Sequence, residues 1–440
     1  MSSWADILAG VPQGSILGPL FFLIYINDLS NGLSSNPKMF ADDSSLFSVV
    51  HSINGSCSDL NNVLIKIGNW AHQWKMSFNP DPTKQAQEVI FSRKKKKVKH
   101  PDIFFNNSSV VQSHSQKHLG MFLDTKLDFC EHFRNMLNKV NKTIGLLRKL
   151  RYSLPRSALI TIYKSFIRPH IDYGDIVYDQ AYNESFHQKL ESIQYNASLA
   201  ITGAIRGSSR DKLYQELGLE SLKNRRWYRK LTTFYKILTD KSPSYLFNLI
   251  PINNSHYTTR FADNIPPFKT KHDFFKNTFF PSAIKEWNIL EASIRNAEST
   301  AVFKKKILSM IRPIPNSVFN SHHPDGIILL TRLRLGFSHL REHKFRHNFL
   351  DTLNPICSCG QDIETTSHFL LNCPQYSNIR TTFLNKIKGI KSDIIEKSKA
   401  DLTNILLFGD ISLSAEINTF ILNSTIGFLL ESNRFEEPLL

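Results

Sequence analysis

Met39 Phe40 Ala41 Asp42 Asp43 Ser44 Ser45 Leu46 Phe47 sets two adjacent carboxylates inside a run that otherwise reads as a buried β-hairpin. Neighbouring anions desolvated beside apolar strands repel each other, and burial opposes charging either one. A cation resolves that conflict, and hard divalent metals such as Mg2+ take oxygen ligands of this kind. An Asp pair between strands also has a plain structural use, since Asp side chains bond nearby backbone amides in ordinary turns. The segment upstream favours the metal. Gly10 Val11 Pro12 Gln13 Gly14 Ser15 Ile16 Leu17 Gly18 Pro19 Leu20 is a glycine-punctuated loop running into an apolar helix. Ser15 is placed to cap that helix, and Pro19 falls in its first turn, where a missing N–H does little harm. Leu17, Leu20, Phe21 and Ile24 recur at helical spacing, Gly32 is placed as a terminator, and the predicted helix spans 16–29. Loop, helix and carboxylates together point to metal-dependent phosphoryl transfer.

The same residues resemble the reverse transcriptases of non-LTR retrotransposons. Gly10 to Leu20 with Phe22 Leu23 Ile24 Tyr25 Ile26 Asn27 Asp28 Leu29 is similar to palm motif B, and Phe40 Ala41 Asp42 Asp43 to motif C. Trp70, Trp74, Met76, Ser77, Phe78, Asn79 and Lys84 with Val89 Ile90 Phe91 Ser92 resemble motif D, and His118 Leu119 Gly120 with Leu123 Asp124 the primer-grip turn of motif E. The resemblance implies an RNA-directed DNA polymerase of α+β class: a partial palm, an antiparallel sheet with helices, then a helical thumb and a small Cys/His zinc-binding tail. It implies that Asp42 ligates two catalytic Mg2+ ions with Asp43 in support, that Gln13 and Gly14 line the pocket for template base and incoming deoxynucleotide triphosphate, and that Lys84 protonates pyrophosphate. Leu119 and Gly120 would seat the primer backbone. An RNA template and a DNA primer are the implied partners. Polymerases of the telomerase and mobile-intron type share the palm, but the tail fits them less well.

One motif is absent. The family's first metal ligand is a motif A Asp on a strand well upstream of motif B, whereas nine residues precede Gly10 and Asp6 is the sole acid among them. Asp6 lies too close to the loop to occupy a neighbouring strand. A site built from the motif C carboxylates alone is expected to bind metal weakly, and the isolated chain is expected to be inactive. Sugar selectivity, set in the family near motif A, is not legible. Two function classes therefore stand: a polymerase fragment, and a non-catalytic nucleic-acid-binding remnant of such an element.

Composition fits either class. Across 440 residues, 54 Lys and Arg oppose 38 Asp and Glu, a net charge of +16 that favours a polyanionic partner. A hydrophobic fraction of 41% supports a folded core, and the length suggests about three domains. The apolar run Pro19 to Ile26 is too short to span a bilayer and no basic-then-apolar leader precedes it, so membrane and secreted classes are disfavoured. Five cysteines, three clustered near the tail, make no disulfide framework; a reducing nucleus or cytoplasm is expected.

The chain divides into a partial palm over 1–116, a primer-grip turn and helical thumb over 117–250, a connector over 251–330 and a carboxy-terminal domain over 331–440. The palm is expected to hold a helix over Leu60 to Trp74 and strands near Glu88 to Ser92, Ile103 to Phe105 and Val110 to Val111. Arg93 Lys94 Lys95 Lys96 Lys97 reads as a solvated hairpin turn, with phosphate contact or nuclear import as functional options. In the thumb, Phe133, Leu137, Val140, Ile144 and Leu147 form an apolar stripe, with Arg134, Lys139, Lys142, Arg148, Lys149 and Arg151 elsewhere on that helix. Leu159, Ile162 and Phe166, then Leu190, Ile193 and Ala197, then Trp227, Leu231, Phe234 and Leu238 predict three further core stripes. The connector is irregular and Pro-rich, with a short helix around Ser282 to Leu290, and its aromatics Phe261, Phe268, Phe274, Phe275, Phe279 and Phe280 are assigned to packing.

The tail holds a second constellation. Cys357, Cys359, His368 and Cys373 offer three thiolates and one imidazole, the donor set of a tetrahedral structural Zn2+ site, although a one-residue gap between thiols is tighter than usual. Gly360 eases the turn. Arg332 to Cys373 resembles the family's carboxy-terminal Cys/His motif, which implies zinc and help in binding template RNA. His339, His343 and His347 lie four apart on a predicted helix; surrounding cations disfavour metal and leave backbone phosphate contact as their functional option.

Overall fold

The Ser15 Oγ accepts from the Gly18 amide at 3.1 Å, but the first helix starts at Gly18 with Leu17 as its N-cap and no side-chain cap bond, so Ser15 braces the turn ahead of the helix and does not cap it. That helix, α1 (Gly18–Ile26), runs into a 3₁₀ turn over Asn27–Ser30, and Gly32 at φ +70° ends it. The computed structural model describes residues 14–35, 37–78, 86–94, 99–179, 184–251, 264–269, 272–312 and 323–435. Gln13, Lys84 and Lys95 to Lys97 lie outside them. The chain divides into two units, Met1–Asn135 and Met136–Leu440.

In the first unit, β1 (Lys38–Phe40) and β2 (Asp43–Ser45) form an antiparallel hairpin with Phe40 opposite Asp43. Helix α2 (Ile53–Gln73) begins earlier than predicted, because the Ser/Asn/Gly-rich stretch from Ile53 coils into it and places Cys57 inward with Val63, Ile67 and Ala71. Ile26 and Leu29 meet Val63 and Ile67 in a small core, with Phe22, Met39, Leu46, Trp70 and Phe105 around its edge. Phe22 and Ile26, four apart, are thus the residues of α1 that face the core; Leu17, Leu20, Phe21 and Ile24 are each at least half exposed, contrary to what their spacing suggests. Strands β3 (Gln87–Glu88), β4 (Phe104–Phe105), β5 (Ser108–Ser109), β6 (Val111–Gln112), β7 (Ser115–His118) and β8 (Met121–Asp124) are shorter than the expected palm sheet. Among the described residues they make separate two-stranded ladders, β4 with β5 and β7 with β8 antiparallel, β3 with β6 parallel.

Helix α3 (Cys130–Leu150) carries the boundary between the units. Its stripe is buried as predicted at Phe133, Val140, Ile144 and Leu147, with Met136 more deeply buried than Leu137. Arg134, Lys139, Lys142, Arg148 and Lys149 are exposed. Beyond it, Arg156–Ile162 continues through a π-helical turn, Tyr163–Ile167, into Arg168–Asp172. Pro169 offers no N–H to the preceding turn, a standard cause of such a disruption. The wider turn puts Leu159, Tyr163, Ile167 and Ile171 inward at intervals of four, leaving the predicted core residue Phe166 64% exposed.

The connector is not a loose linker. Its helices Phe279–Ile289 and Thr300–Ile311 pack on Leu222–Leu238, where Leu231, Phe234 and Tyr235 meet Ala283, Ile284, Trp287, Phe303 and Ile307. Tyr235 stacks on Phe303 with ring centres 4.5 Å apart. Phe268, Phe279 and Phe280 border that core, as the packing assignment requires, and Phe261 lies outside the described residues. In the tail, Pro324–Arg334, Ser377–Lys388, Lys399–Phe408 and Ala415–Glu431 enclose Leu330, Phe369, Leu406, Ile426 and Phe428. Among the described residues no helix is long and apolar enough to cross a membrane.

Buried charge is paired across long stretches of chain. Glu216 accepts from Arg156 at 2.7 Å and Arg334 at 2.8 Å through the same oxygen; burial pushes its carboxyl up, and the two guanidinium groups outweigh that and hold it below the usual range. Of the three spaced histidines, only His343 sits within the short helix Arg341–Arg346; His339 precedes it and His347 stacks on Phe337, so they share no helical face. His343 is buried with Nδ1 at 2.8 Å from Ser338 Oγ. Burial pushes its imidazole down to about 4 from an ordinary 6.5, with Glu342 opposing. The unfolded chain then binds the extra proton first, so this contribution is complete above pH 6.5 and is lost as pH falls towards 4. Urea unfolding is expected to show the wild type losing about 3 kcal/mol more than His343→Gln between pH 7 and pH 4 at most; equal losses in the two proteins would contradict the assignment.

Candidate functional site

Asp42 occupies the two-residue loop of the first hairpin and Asp43 opens β2. Ala41, beside them, has φ +49°, a left-handed conformation that a residue with a Cβ adopts only against strain. The hairpin is not buried as its sequence suggests: Phe40, Ala41, Asp42 and Asp43 are exposed, and the anchoring falls to Met39 and Leu46. Neither carboxylate takes part in an ion pair or side-chain hydrogen bond among the described residues. In a chain of net charge +16, such carboxylates are available to a cation.

Gly14 opens the loop before α1 at φ +84°, and a Cβ added there would meet nothing within 4 Å, so conformation rather than crowding by the protein accounts for the glycine. Leu119 and Gly120 are the two-residue loop between β7 and β8, at φ +45° and +84°. Positive φ at both positions is the signature of a type I′ hairpin turn, which Gly favours and Leu does not.

The two hairpins are joined directly. Ser45 Oγ on β2 lies 3.2 Å from His118 Nδ1 on β7, and the Phe47 ring meets the His118 ring edge-on with centres 6.1 Å apart. The carboxylates and the Leu119–Gly120 turn therefore belong to one local assembly. His118 adjoins that turn in sequence, but nothing in its spacing signals Ser45, 73 residues away. Asp28, inside the motif B stretch, has a structural partner instead: it accepts from Trp70 Nε1 at 3.0 Å.

In the second unit the four predicted donors converge. The ligand atoms of Cys357, Cys359, His368 and Cys373 lie within 4.8 Å of one another. Cys357 Sγ is 3.7 Å from Cys373 Sγ, and Cys359 Sγ is 3.4 Å from His368 Nε2. Metal–sulfur bonds of about 2.3 Å in a tetrahedron put sulfurs about 3.8 Å apart, so the spacing fits a tetrahedral ion. All five cysteines are free thiols. Gly360 at φ +74° turns the loop back, and its amide bonds Cys357 O at 2.9 Å. His368 Nδ1 is shut from solvent without a hydrogen bond, with the Asp362 carboxylate at 3.9 Å; a carboxylate behind the second ring nitrogen commonly orients a ligating histidine. Sequence spacing singles out the four donors but not Asp362, whose position inside the Cys359–His368 loop is the available signal. Burial pushes the Cys373 thiol up to about 12, while the Gln361 amide leads the interactions that hold Cys359 below its ordinary value.

The sequence profile described as "Reverse transcriptase (RNA-dependent DNA polymerase)" matches residues 4–123. "Probable RNA-directed DNA polymerase from transposon X-element" of Drosophila melanogaster is 26% identical over 211 residues, covering 46% of this chain and 23% of the relative. "RNA-directed DNA polymerase from mobile element jockey" of the same species is 28% identical over 214 residues, again 46% and 23%. "Retrovirus-related Pol polyprotein from type-1 retrotransposable element R1" of Bradysia coprophila is 21% identical over 388 residues, 85% of this chain and 35% of the relative. The chain thus spans about a quarter of the first two relatives' length. Residues 4–123, which hold both joined hairpins, thus match the reverse transcriptase profile, and the relatives similar to the chain are the polymerases of non-LTR transposons.

Proposed function

We propose that the chain contributes part of an RNA-directed DNA polymerase, with Asp42 and Asp43 holding magnesium for two-metal nucleotidyl transfer onto a primer 3′-hydroxyl. The observation that carries this reading is the joining of an unpaired, exposed carboxylate hairpin to the Leu119–Gly120 turn through Ser45 and His118. Bound magnesium supplies charge neutralisation for the triphosphate and acidifies the attacking hydroxyl. The protein's own groups position: Gln13 and Gly14 line the template and deoxynucleotide pocket, Lys84 delivers a proton to pyrophosphate, and Leu119 and Gly120 seat the primer backbone. Residues 1–116 act as palm and 117–250 as thumb, the exposed cations of α3 contacting phosphates without reading sequence.

Two adjacent carboxylates offer few oxygens for two ions, so the 440-residue chain alone is expected to bind divalent metal weakly and to incorporate no nucleotide. Electron paramagnetic resonance titration with Mn2+ should report millimolar binding that the double variant Asp42→Asn, Asp43→Asn removes. Unchanged Mn2+ binding in that variant would refute the site, and template-dependent incorporation by the chain alone would refute its dependence on a further carboxylate. The second reading, a non-catalytic nucleic-acid binder, draws on the exposed cations of α3 and predicts template–primer binding that is indifferent to both substitutions and to Mn2+.

In the tail, Cys357, Cys359, His368 and Cys373 are assigned to a structural zinc ion, which closes a site with four protein ligands and supplies folding energy rather than chemistry. Elemental analysis of the purified chain should give one zinc per molecule, and Cys359→Ser should reduce this to a small fraction. Metal-free wild-type protein that unfolds no less stably than zinc-supplemented protein would end the assignment.

A further inference from the structure

Cys357 and Cys373 bring their sulfurs to 3.7 Å with the two residues only 3% and 0% exposed. Protein hydrogen bonds alone hold both backbones in place. The Cys357 amide donates to Asp362 O at 2.8 Å and its carbonyl accepts from the Gly360 amide at 2.9 Å, while the Cys373 amide donates to His368 O at 2.7 Å. The Cys373 carbonyl also accepts from Arg380, whose Nε donates to Leu370 O at 3.0 Å. Beyond Asp362 on the same loop, Glu364 is 1% exposed and takes two bonds from Arg434, Nε to Oε1 at 2.7 Å and Nη2 to Oε2 at 2.8 Å. Cys359 differs from the other two cysteines: it is partly open to solvent, and its Sγ lies 3.4 Å from His368 Nε2.

A disulfide brings its sulfurs to about 2.0 Å, so joining Cys357 to Cys373 takes side-chain rotation on backbones that are already anchored. We propose that this pair is a redox switch, in which oxidation by a peroxide joins Cys357 to Cys373 and dismantles the donor set of the tail. The accessible Cys359 meets the oxidant first: its sulfur attacks the O–O bond, which breaks to leave a sulfenic acid and one water. Cys373 Sγ then displaces the hydroxyl group from Cys359 as a second water. Cys357 Sγ attacks Cys373, the Cys359–Cys373 bond breaks, and Cys359 leaves as a thiol. In sum, two thiols and one peroxide become one disulfide and two waters. The product is the buried bridge, because its sulfurs are the ones that reducing thiols reach least readily. Cys359 and His368 then remain, two donors where a closed tetrahedral site takes four. Loss of metal in this way rests on the zinc assignment above, whereas the bridge itself rests only on where the sulfurs lie.

Hydrogen peroxide treatment of the full 440-residue chain, once stripped of metal by a chelator and once loaded with zinc, tests this. The metal-free chain should fall from five thiols, counted after denaturation, to three, with peptide mapping joining Cys357 to Cys373 and a dithiol reductant restoring all five. The zinc-loaded chain should release one zinc per bridge, read with a chromogenic chelator. In metal-free protein, Cys359→Ser should slow bridge formation by roughly tenfold without moving the bridge. Cys130→Ser, which removes the exposed thiol at the start of α3, should change neither its rate nor its position. A bridge between any other pair, or oxidation that stops at Cys359 with no bridge, overturns the proposal. Zinc binding without a bridge overturns the switch and leaves the zinc assignment standing. A Cys357–Cys373 bridge in a chain that takes up no zinc overturns that assignment and the release step, and supports the bridge. Neither zinc nor bridge overturns both.

Discussion

The contact between Ser45 Oγ and His118 Nδ1 is the point on which the arrangement of the first unit turns. Each partner hairpin is too short to be stable by itself, since isolated two-stranded ladders are marginal in water. The first is anchored at its base by Met39 and Leu46 on the core of Ile26, Leu29, Val63 and Ile67. Its tip, where the carboxylates lie, has no such anchor. The hydrogen bond and the edge-on Phe47–His118 contact supply a lateral tie at the open end of this short ladder, where Ser45 pairs with Lys38, so two hairpins whose turns carry strained residues, Ala41 and Leu119, are held in one assembly. Strain at both tips is consistent with shapes selected for what they hold rather than for stability.

Positive charge in this chain falls into two classes that a count of +16 merges. Along Leu222–Leu238, Arg225 bonds Asp172 and Glu220, Arg226 bonds Asp179, Arg229 bonds Asp175 and Lys230 bonds Glu286. Burial drives the Asp175 carboxyl up to about 6 even against Arg229. These cations are committed to tertiary structure. On α3, Arg134, Lys139, Lys142, Arg148 and Lys149 instead stand exposed. An interaction with a polyanion would draw on this second class.

What the sequence discloses is whatever depends on neighbours. The Asp doublet at a turn, the Leu119–Gly120 pair, the α3 stripe and the four convergent Cys and His donors are local patterns, and each is in place. What it withholds depends on residues far apart. The arginines and Lys230 of Leu222–Leu238 find acids 47 to 56 residues away, apart from Glu220 close by, and no periodicity marks such pairs. Phe166 escapes stripe-counting because a π-helical turn changes the interval between inward residues from the one that such counting assumes. The apolarity of Phe40 and Phe47 suggests a buried hairpin, yet only Met39 and Leu46, on the alternate positions, reach the core. The connector's prolines suggest irregularity, whereas its aromatics complete a core whose other half lies on an earlier helix.

The central claim is that Asp42 and Asp43 hold a divalent cation at a position adjacent to the Leu119–Gly120 turn. Ferrous iron bound in place of magnesium, with ascorbate and peroxide, generates hydroxyl radicals that cut the backbone only near the ion, and mapping the cuts locates it. The account predicts two clusters, one within residues 40–45 and one within 117–121, both lost in the Asp42→Asn, Asp43→Asn variant. Cuts confined to other segments, or cuts at these segments that survive the double substitution, would contradict it.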